Sequence, residues 1–237
     1  MTEKALQHFY IAEDQSIYLL SHKDATKLKE WVGLCQQQLK QLGYQNISLL
    51  GKGAYGFVFT GDNELGQSVV FKFSRLNLPQ HVQDRLEEEA SIQNELSHPR
   101  IPKVIQYHKI KRQCILQMSR APGIDLEKLS YQNGPLSPEL IVDIALQLAD
   151  ILVYLRNSNA HKKSKPYIHG DIKPSNVVFD ATNGKVYLID WGSSVTAQME
   201  VNGESTSNNI MELMSSDLQN SNARLGDVYF IGPEQLN

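Results

Sequence analysis

Three groups of residues in the first third of the chain are of the types that handle phosphate. Gly51-Lys52-Gly53-Ala54-Tyr55-Gly56-Phe57-Val58 spells G-x-G-x-x-G-x-V between two strand-like runs. Glycine removes the Cβ atoms that keep a backbone away from a ligand and permits dihedrals closed to other residues. The amides of such a loop can turn toward phosphate oxygens. The same pattern also fits a plain glycine-rich hairpin. A dinucleotide-binding turn is disfavoured, because a strand rather than a helix comes after the glycines. Lys72 lies inside the apolar run Val69-Val70-Phe71-Lys72-Phe73. It either snorkels from a strand edge or holds phosphate oxygens, provided a carboxylate fixes it. Glu87, Glu88 and Glu89 open the next helical stretch. They supply that carboxylate, or else serve as helix-dipole and solubility charges at an N-terminal turn.

The elements that would position these groups can be read from hydrophobic spacing. Phe9 to Leu20 carries short β-prone runs around a turn at Asp14. From Lys23 to Leu42, residues Leu28, Trp31, Val32, Leu34, Cys35, Leu39 and Leu42 recur at helical spacing, and Gly43 stops the run. This predicts an amphipathic helix packed on the strands that come next in the chain. Between Asn46 and Phe73 the runs NISLL, FVFTG and SVVFKF predict strands, with turns at Gly51 to Gly56 and Asn63 to Gly66. A helix is expected from Leu86 to Leu96 with an acidic first turn, then strands at Val104 to Ile110 and Cys114 to Met118. A further helix runs from about Ser137, with Pro138 in its first turn, to Leu155. The short runs YIH, NVVF and KVYLID read as strands. Ser193 to Arg224 shows little periodicity and reads as a long loop, functional or disordered. Strands with one helix, then a mainly helical part with short strands, make an α+β arrangement of two lobes.

Bulk composition narrows the chemistry. The 237 residues carry a formal net charge of −3, which gives no general grip on nucleic acid or an anionic membrane. The one basic run of note, His161 to Lys165, reads as a solvated loop. Cys35 and Cys114 form no metal-ligand or redox spacing and are expected as reduced thiols. The seven histidines show no metal pattern. No charged-then-apolar leader comes after Met1, and no apolar run approaches the roughly 20 residues a membrane span needs. The expectation is a cytoplasmic protein with no nucleic-acid and no membrane partner.

The decisive stretch is His169-Gly170-Asp171-Ile172-Lys173-Pro174-Ser175-Asn176, followed by Asp190-Trp191-Gly192. With the glycine loop and Lys72, it resembles the eukaryotic-type protein kinase family, serine/threonine branch. The resemblance covers about Asn46 to the end, so residues 1–45 are expected as an N-terminal extension and 46–237 as the domain. It implies a β-rich lobe at about 46–118, a hinge at 119–121 and a helical lobe at 122–237, with an activation segment at 190–234. By the same resemblance Gly51, Gly53 and Gly56 cover the phosphates of ATP and Lys72 holds its α- and β-phosphates. Glu89 pairs with that lysine, with Glu88 as the alternative. Val58, Val70 and Val178 line the adenine pocket, Met118 is the gatekeeper, and Ser119 to Ala121 face adenine. Asp125 contacts ribose. Asp171 accepts or orients the proton of a protein hydroxyl, Lys173 neutralises the γ-phosphate, and Asn176 and Asp190 hold magnesium (Mg2+).

Several positions depart from the family. Gly170 replaces an arginine that ordinarily reads a phosphate on the activation segment. Trp191 replaces phenylalanine, Val70 replaces a smaller alanine, and Gln93 stands where an apolar residue is usual. Asp227 replaces a threonine that bears on acceptor choice. Gly232-Pro233-Glu234 stands for Ala-Pro-Glu, and the sequence ends three residues later. The expectation is a chain cut from a longer one, or one whose second lobe a partner chain completes, with apolar surface of the helix from Ser137 to Leu155 uncovered. An active protein kinase is the first reading. A nucleotide-binding interaction module without transfer is the second. A small-molecule phosphotransferase sharing His-Gly-Asp is the third, and Lys173 and the His98-Pro99 element weigh against it.

Overall fold

A computed structural model describes residues 25–52, 56–74, 80–110, 113–157, 166–196 and 229–230. The elements in chain order are α1 (Ala25–Gln41), β1 (Gln45–Lys52), β2 (Gly56–Asp62), β3 (Ser68–Ser74), α2 (Gln80–Glu95), β4 (Val104–Ile110) and β5 (Gln113–Ser119). Next come β6 (Ile124–Asp125), α3 (Leu126–Asn133), α4 (Pro138–Asn157), β7 (Tyr167–Ile168), β8 (Val177–Asp180), β9 (Lys185–Leu188) and β10 (Val195–Thr196). They fall into two compact units. The first takes the described residues up to Asn94 with Lys103–Arg120, and the second takes Glu95–Pro102 and the described residues from Ala121 onward. A sheet-rich unit followed by one with two helices and short strands is the expected α+β arrangement.

The first unit is built on an antiparallel sheet of order β1-β2-β3-β5-β4. Strand residues alternate between faces. On one face Phe57, Phe59, Phe71, Phe73 and Ile115 meet Trp31, Cys35 and Leu39 of α1 in a single core. Tyr44 sets its ring edge against Phe71 at 4.8 Å and accepts a 2.9 Å hydrogen bond from Gln117 Nε2. On the opposite face Leu116 and Met118 of β5 pack with Ala90 of α2. The helix drawn outside the domain boundary at residue 46 therefore shares the sheet's own core.

Two expectations need correction. Helix α2 begins at Gln80, six residues before the start expected at Leu86. Its opening residues are mostly polar, so apolar periodicity does not register them. Glu87, Glu88 and Glu89 consequently sit mid-helix, and no acidic residue lies in the first turn. A helix-dipole role for them is removed, because that effect fades beyond the first turn. Helix α3 was not expected at all. Its signal was Asp125, an N-cap whose Oδ1 accepts the Lys128 N–H at 2.8 Å.

In the second unit α4 packs on β7 and β9, with Ile144, Ile151 and Leu155 buried. The segment before β4 is tied down beside it. Tyr154 Oη accepts from Ser97 N at 2.6 Å, and His98 lies over the Tyr154 ring at 4.9 Å. Ile141, Val142, Leu146, Leu152 and Val153 form a second apolar stripe on α4 that is exposed. The runs at residues 9–20 and 161–165 lie outside the described residues.

If α1 is a layer of the first unit's core, truncating Trp31, which is 2% exposed, removes stability on the order of 3–5 kcal/mol. Urea unfolding of Trp31→Ala should show the midpoint falling accordingly, whereas a loosely appended helix would leave it near the wild-type value.

Candidate functional site

In the first unit, strand register decides which side chains share a face. Lys72 pairs with Val58 of β2 and with Leu116 of β5, and Val70 pairs with Met118. Val69, Phe71 and Phe73 fill the α1-side core, so Val70 and Lys72 emerge toward α2. There Lys72 Nζ forms an ion pair with Glu89 Oε1, the two side chains being 15% and 5% exposed. A pair this buried must be well made, because desolvating each charge costs several kcal/mol. Glu87 instead shares Lys109 of β4 with Asp84, at 3.2 and 2.8 Å. Those two carboxylates push the Lys109 ammonium above its usual range. Glu88 is exposed. Of the three glutamates, the structure brings Glu89 to the lysine.

The glycine loop is described only at its flanks, and Gly53 lies outside the described residues. A Cβ at Gly56 would run into Phe73 O of β3, so tight strand packing alone requires glycine there. Gly51 faces open space, which is the condition for a ligand to approach its backbone. At the end of β5, the Ser119 amide donates to Lys103 O and its Oγ accepts from Lys103 N, both at 2.9 Å. That hydroxyl is thus used internally. Ala121 falls in the second unit and is partly exposed.

The second unit gathers the chemistry-bearing residues of the 169–190 stretch. Asn176 ends a 3-10 turn at Pro174–Asn176, and its Nδ2 donates to Asp171 O at 2.8 Å and Asp171 Oδ2 at 2.9 Å. Lys173 Nζ pairs with the same Oδ2 at 3.0 Å. The Ile189 amide donates to Asn176 O at 2.9 Å, which sets Asp190 beside Asn176. With its Nδ2 spent on Asp171, Asn176 has its amide oxygen for a cation. That oxygen and the Asp190 carboxylate are hard donors, which fit magnesium.

His169 organises this stretch. Its Nδ1 accepts the Asp171 amide at 3.3 Å, so the Nε2–H donates to Ile189 O at 3.1 Å. Its ring meets the edge of Trp191 at 4.7 Å. Trp191 is buried, fills the place expected of an aromatic residue, and accepts Ser194 N and Oγ at its carbonyl. Val195 and Thr196 then pair with Ile168 and Tyr167. Tyr167 donates to Glu95, and burial with that carboxylate pushes its phenol up to about 12. Two backbones here are left-handed, Asp190 at φ 65 and Gly170 at φ 80.

Asp125 has two occupations already: Oδ1 caps α3 and Oδ2 pairs with Lys128 Nζ at 2.9 Å. Val178 is buried and pairs with Asp125 across β6 and β8. Sequence reasoning missed Gln147 and Arg100. Gln147 Oε1 accepts Val186 N at 3.0 Å, and its Nε2 donates to Gly184 O at 2.8 Å. Arg100 pairs with Asp150, and its carbonyl accepts Leu188 N at 3.1 Å. Together they pin β9, and so the approach to Asp190, onto α4. A glutamine three residues after Ile144, on the helix's apolar stripe, was the available signal. Asp227, Gly232-Pro233-Glu234 and the activation segment past Thr196, apart from Tyr229 and Phe230, lie outside the described residues.

A family model described as "Protein kinase domain" matches residues 44–237. Serine/threonine-protein kinase PknD of Mycobacterium tuberculosis is 31% identical over 154 residues, 63% of this chain and 22% of that protein. Serine/threonine-protein kinase B of Synechocystis is 26% identical over 216 residues, 85% and 34% of the two. Aurora/IPL1-related protein kinase 2 of Caenorhabditis elegans is 31% identical over 153 residues, 62% and 47%. The chain thus spans less than half the length of these curated relatives.

Gly170 gives this site a stability test. A Cβ there would overlap the Ser193 carbonyl, and the backbone is left-handed. Gly170→Ala should cost about 1–2 kcal/mol from the dihedral alone, and more from the overlap. Thermal unfolding of the variant should show a midpoint several degrees lower, and an unchanged midpoint would mean the 169–171 backbone moves freely.

Proposed function

The chain belongs to the protein kinase domain family, and on that premise we propose that it transfers the γ-phosphate of Mg·ATP to a serine or threonine hydroxyl of a protein. The observation that carries the proposal is the single oxygen Asp171 Oδ2 held by both Asn176 Nδ2 and Lys173 Nζ. Serine and threonine as acceptors are supported by Lys173, two residues after the aspartate, and by the names that the bacterial relatives carry.

Phosphoryl transfer passes through a transition state that spreads negative charge over phosphate oxygens, so positioning and fixed positive charge supply most of the catalysis. Lys72, held by Glu89, grips the α- and β-phosphates while Gly51, Gly53 and Gly56 present amides to them. Val58, Val70, Met118 and Val178 line the adenine pocket, with Ser119 and Ala121 at its edge. Asp171 orients the acceptor hydroxyl and takes its proton as the oxygen attacks phosphorus. Lys173, paired with the same aspartate, offsets charge on the moving γ-phosphate. Asn176 and Asp190 would hold magnesium, which when bound draws charge off the phosphate oxygens. Asp125 is kept as a ribose contact through the oxygens that also cap α3. The reading sets the reaction in the cytoplasm, where the free, buried Cys35 and Cys114 stay thiols.

Asp171→Asn and Lys72→Met should each lower transfer of labelled phosphate from ATP to a generic protein acceptor by about 10²–10³-fold. The two differ in stability. Asp171→Asn keeps the local hydrogen bonds, whereas Lys72→Met leaves a buried Glu89 unpaired and destabilises by on the order of 3 kcal/mol. Near-normal turnover in Asp171→Asn would overturn the assignment. Stabilisation of the wild-type chain by Mg·ATP with no label incorporated would replace the reading with a nucleotide-binding interaction module.

Gly170 removes the guanidinium that would read a phosphate on the activation segment. Phosphatase treatment should therefore leave the transfer rate within about two-fold, as expected where no phosphate-specific charge pair exists to be lost. Loss of activity that rephosphorylation restores would contradict this.

A further inference from the structure

Helix α2 carries a second polar side chain into the sheet face besides Glu89. Gln93 is 1% exposed and directs Nε2 at Met118 Sδ, 3.9 Å away on β5. An amide buried in the region of Ala90, Leu116 and Met118 is costly unless its donors are satisfied. Sulfur is a weak acceptor, so the contact adds little binding energy of its own. Its consequence lies in the asymmetry between keeping a buried donor satisfied and losing its acceptor.

The geometry gives that asymmetry a direction. Glu89 and Gln93 are four residues apart and project from the same face of α2. Their partners are Lys72 on β3 and Met118 on β5, and the β3–β5 register sets Met118 opposite Val70, two strand positions from Lys72. Four residues of helix rise by about 6 Å, and two residues of strand advance by about 6.6 Å. The two steps match, so one rotation and one axial position of the helix satisfy both contacts together. Turning the helix by a single residue sweeps its face through about 100° and breaks both.

We propose that Gln93 is a positioning residue: its amide, docked on Met118, fixes the rotation of α2 that presents Glu89 to Lys72. A leucine of similar size would pack into the same apolar surroundings without direction and would tolerate neighbouring rotations. The polar group thus trades packing energy for register, a role attested for single buried polar residues in helical assemblies. The lysine's phosphate-holding role rests on the kinase reading, but the positioning claim does not.

The test reads the Lys72–Glu89 contact in the whole chain without nucleotide or acceptor, so its outcome is independent of whether phosphate is transferred. The rate at which an amine-reactive acyl ester modifies Lys72 is followed by peptide mass spectrometry. Glu89→Gln serves as the reference for an amine without its carboxylate. Gln93→Leu should raise the Lys72 rate about five-fold, the equilibrium cost of one lost hydrogen bond, while circular dichroism remains that of the folded chain. A merely structural role would lower the melting temperature and leave the Lys72 rate unchanged. Met118→Leu removes the acceptor and keeps the volume, so it should reproduce the effect even if Gln93→Leu fails to fold. The double variant should add nothing to either single change. A Lys72 rate in Gln93→Leu or Met118→Leu that stays at or below wild type, or additive effects in the double variant, would overturn the proposal.

Discussion

Strand β3 cannot slip. Its alternating residues serve opposite faces, with Val69, Phe71 and Phe73 in the α1-side core and Val70 and Lys72 on the α2 side. A one-residue shift would drive the Lys72 ammonium into the aromatic core and expose three large apolar side chains toward α2. Pairing with both β2 and β5 along almost the whole strand makes that shift a loss of two ladders at once. The Lys72–Glu89 ion pair is a consequence of this register. The energetic cost of burying the two charges is carried by a core that already demands the alignment.

The second unit solves a different problem, holding polar groups still where strands are short. Strands of two to four residues cannot fix a loop by ladder bonds alone. The stretch from 169 to 196 is instead cross-tied by His169, Asn176 and the carbonyls of Asp171, Ile189 and Trp191. Left-handed backbone at Gly170 and Asp190 is tolerated because these ties over-determine it. The close approach of Gly170 to Ser193 joins the two arms of this stretch through backbone contact. In the kinase reading that contact stands where a phosphate and an arginine would otherwise meet.

Polar side chains within apolar surroundings recur as organising devices. Gln93 lies on the α2 side of the first sheet, Gln117 ties that sheet to Tyr44, and Gln147 lines α4 beside the end of β9. Each has fixed donor and acceptor positions that apolar residues of equal volume lack. The exposed stripe of α4 is the opposite case, apolar side chains left facing outward.

The chemistry-bearing residues were legible in the sequence because their types and spacing are dictated by local requirements. Glycines must flank a tight hairpin, a charged residue must interrupt an apolar strand, and Asp171, Lys173 and Asn176 fall within one short turn. The strands and α4 were legible for the same reason, since period-2 and helical spacing are local signals. Other features depended on contacts distant in the chain. Which of three consecutive glutamates meets Lys72 was settled by the rotation of α2 against β5, because residues one apart on a helix face directions about 100° apart. That Gly170 must be glycine was settled by a carbonyl 23 residues later. The sequence specifies the groups; packing between distant segments decides which of them touch.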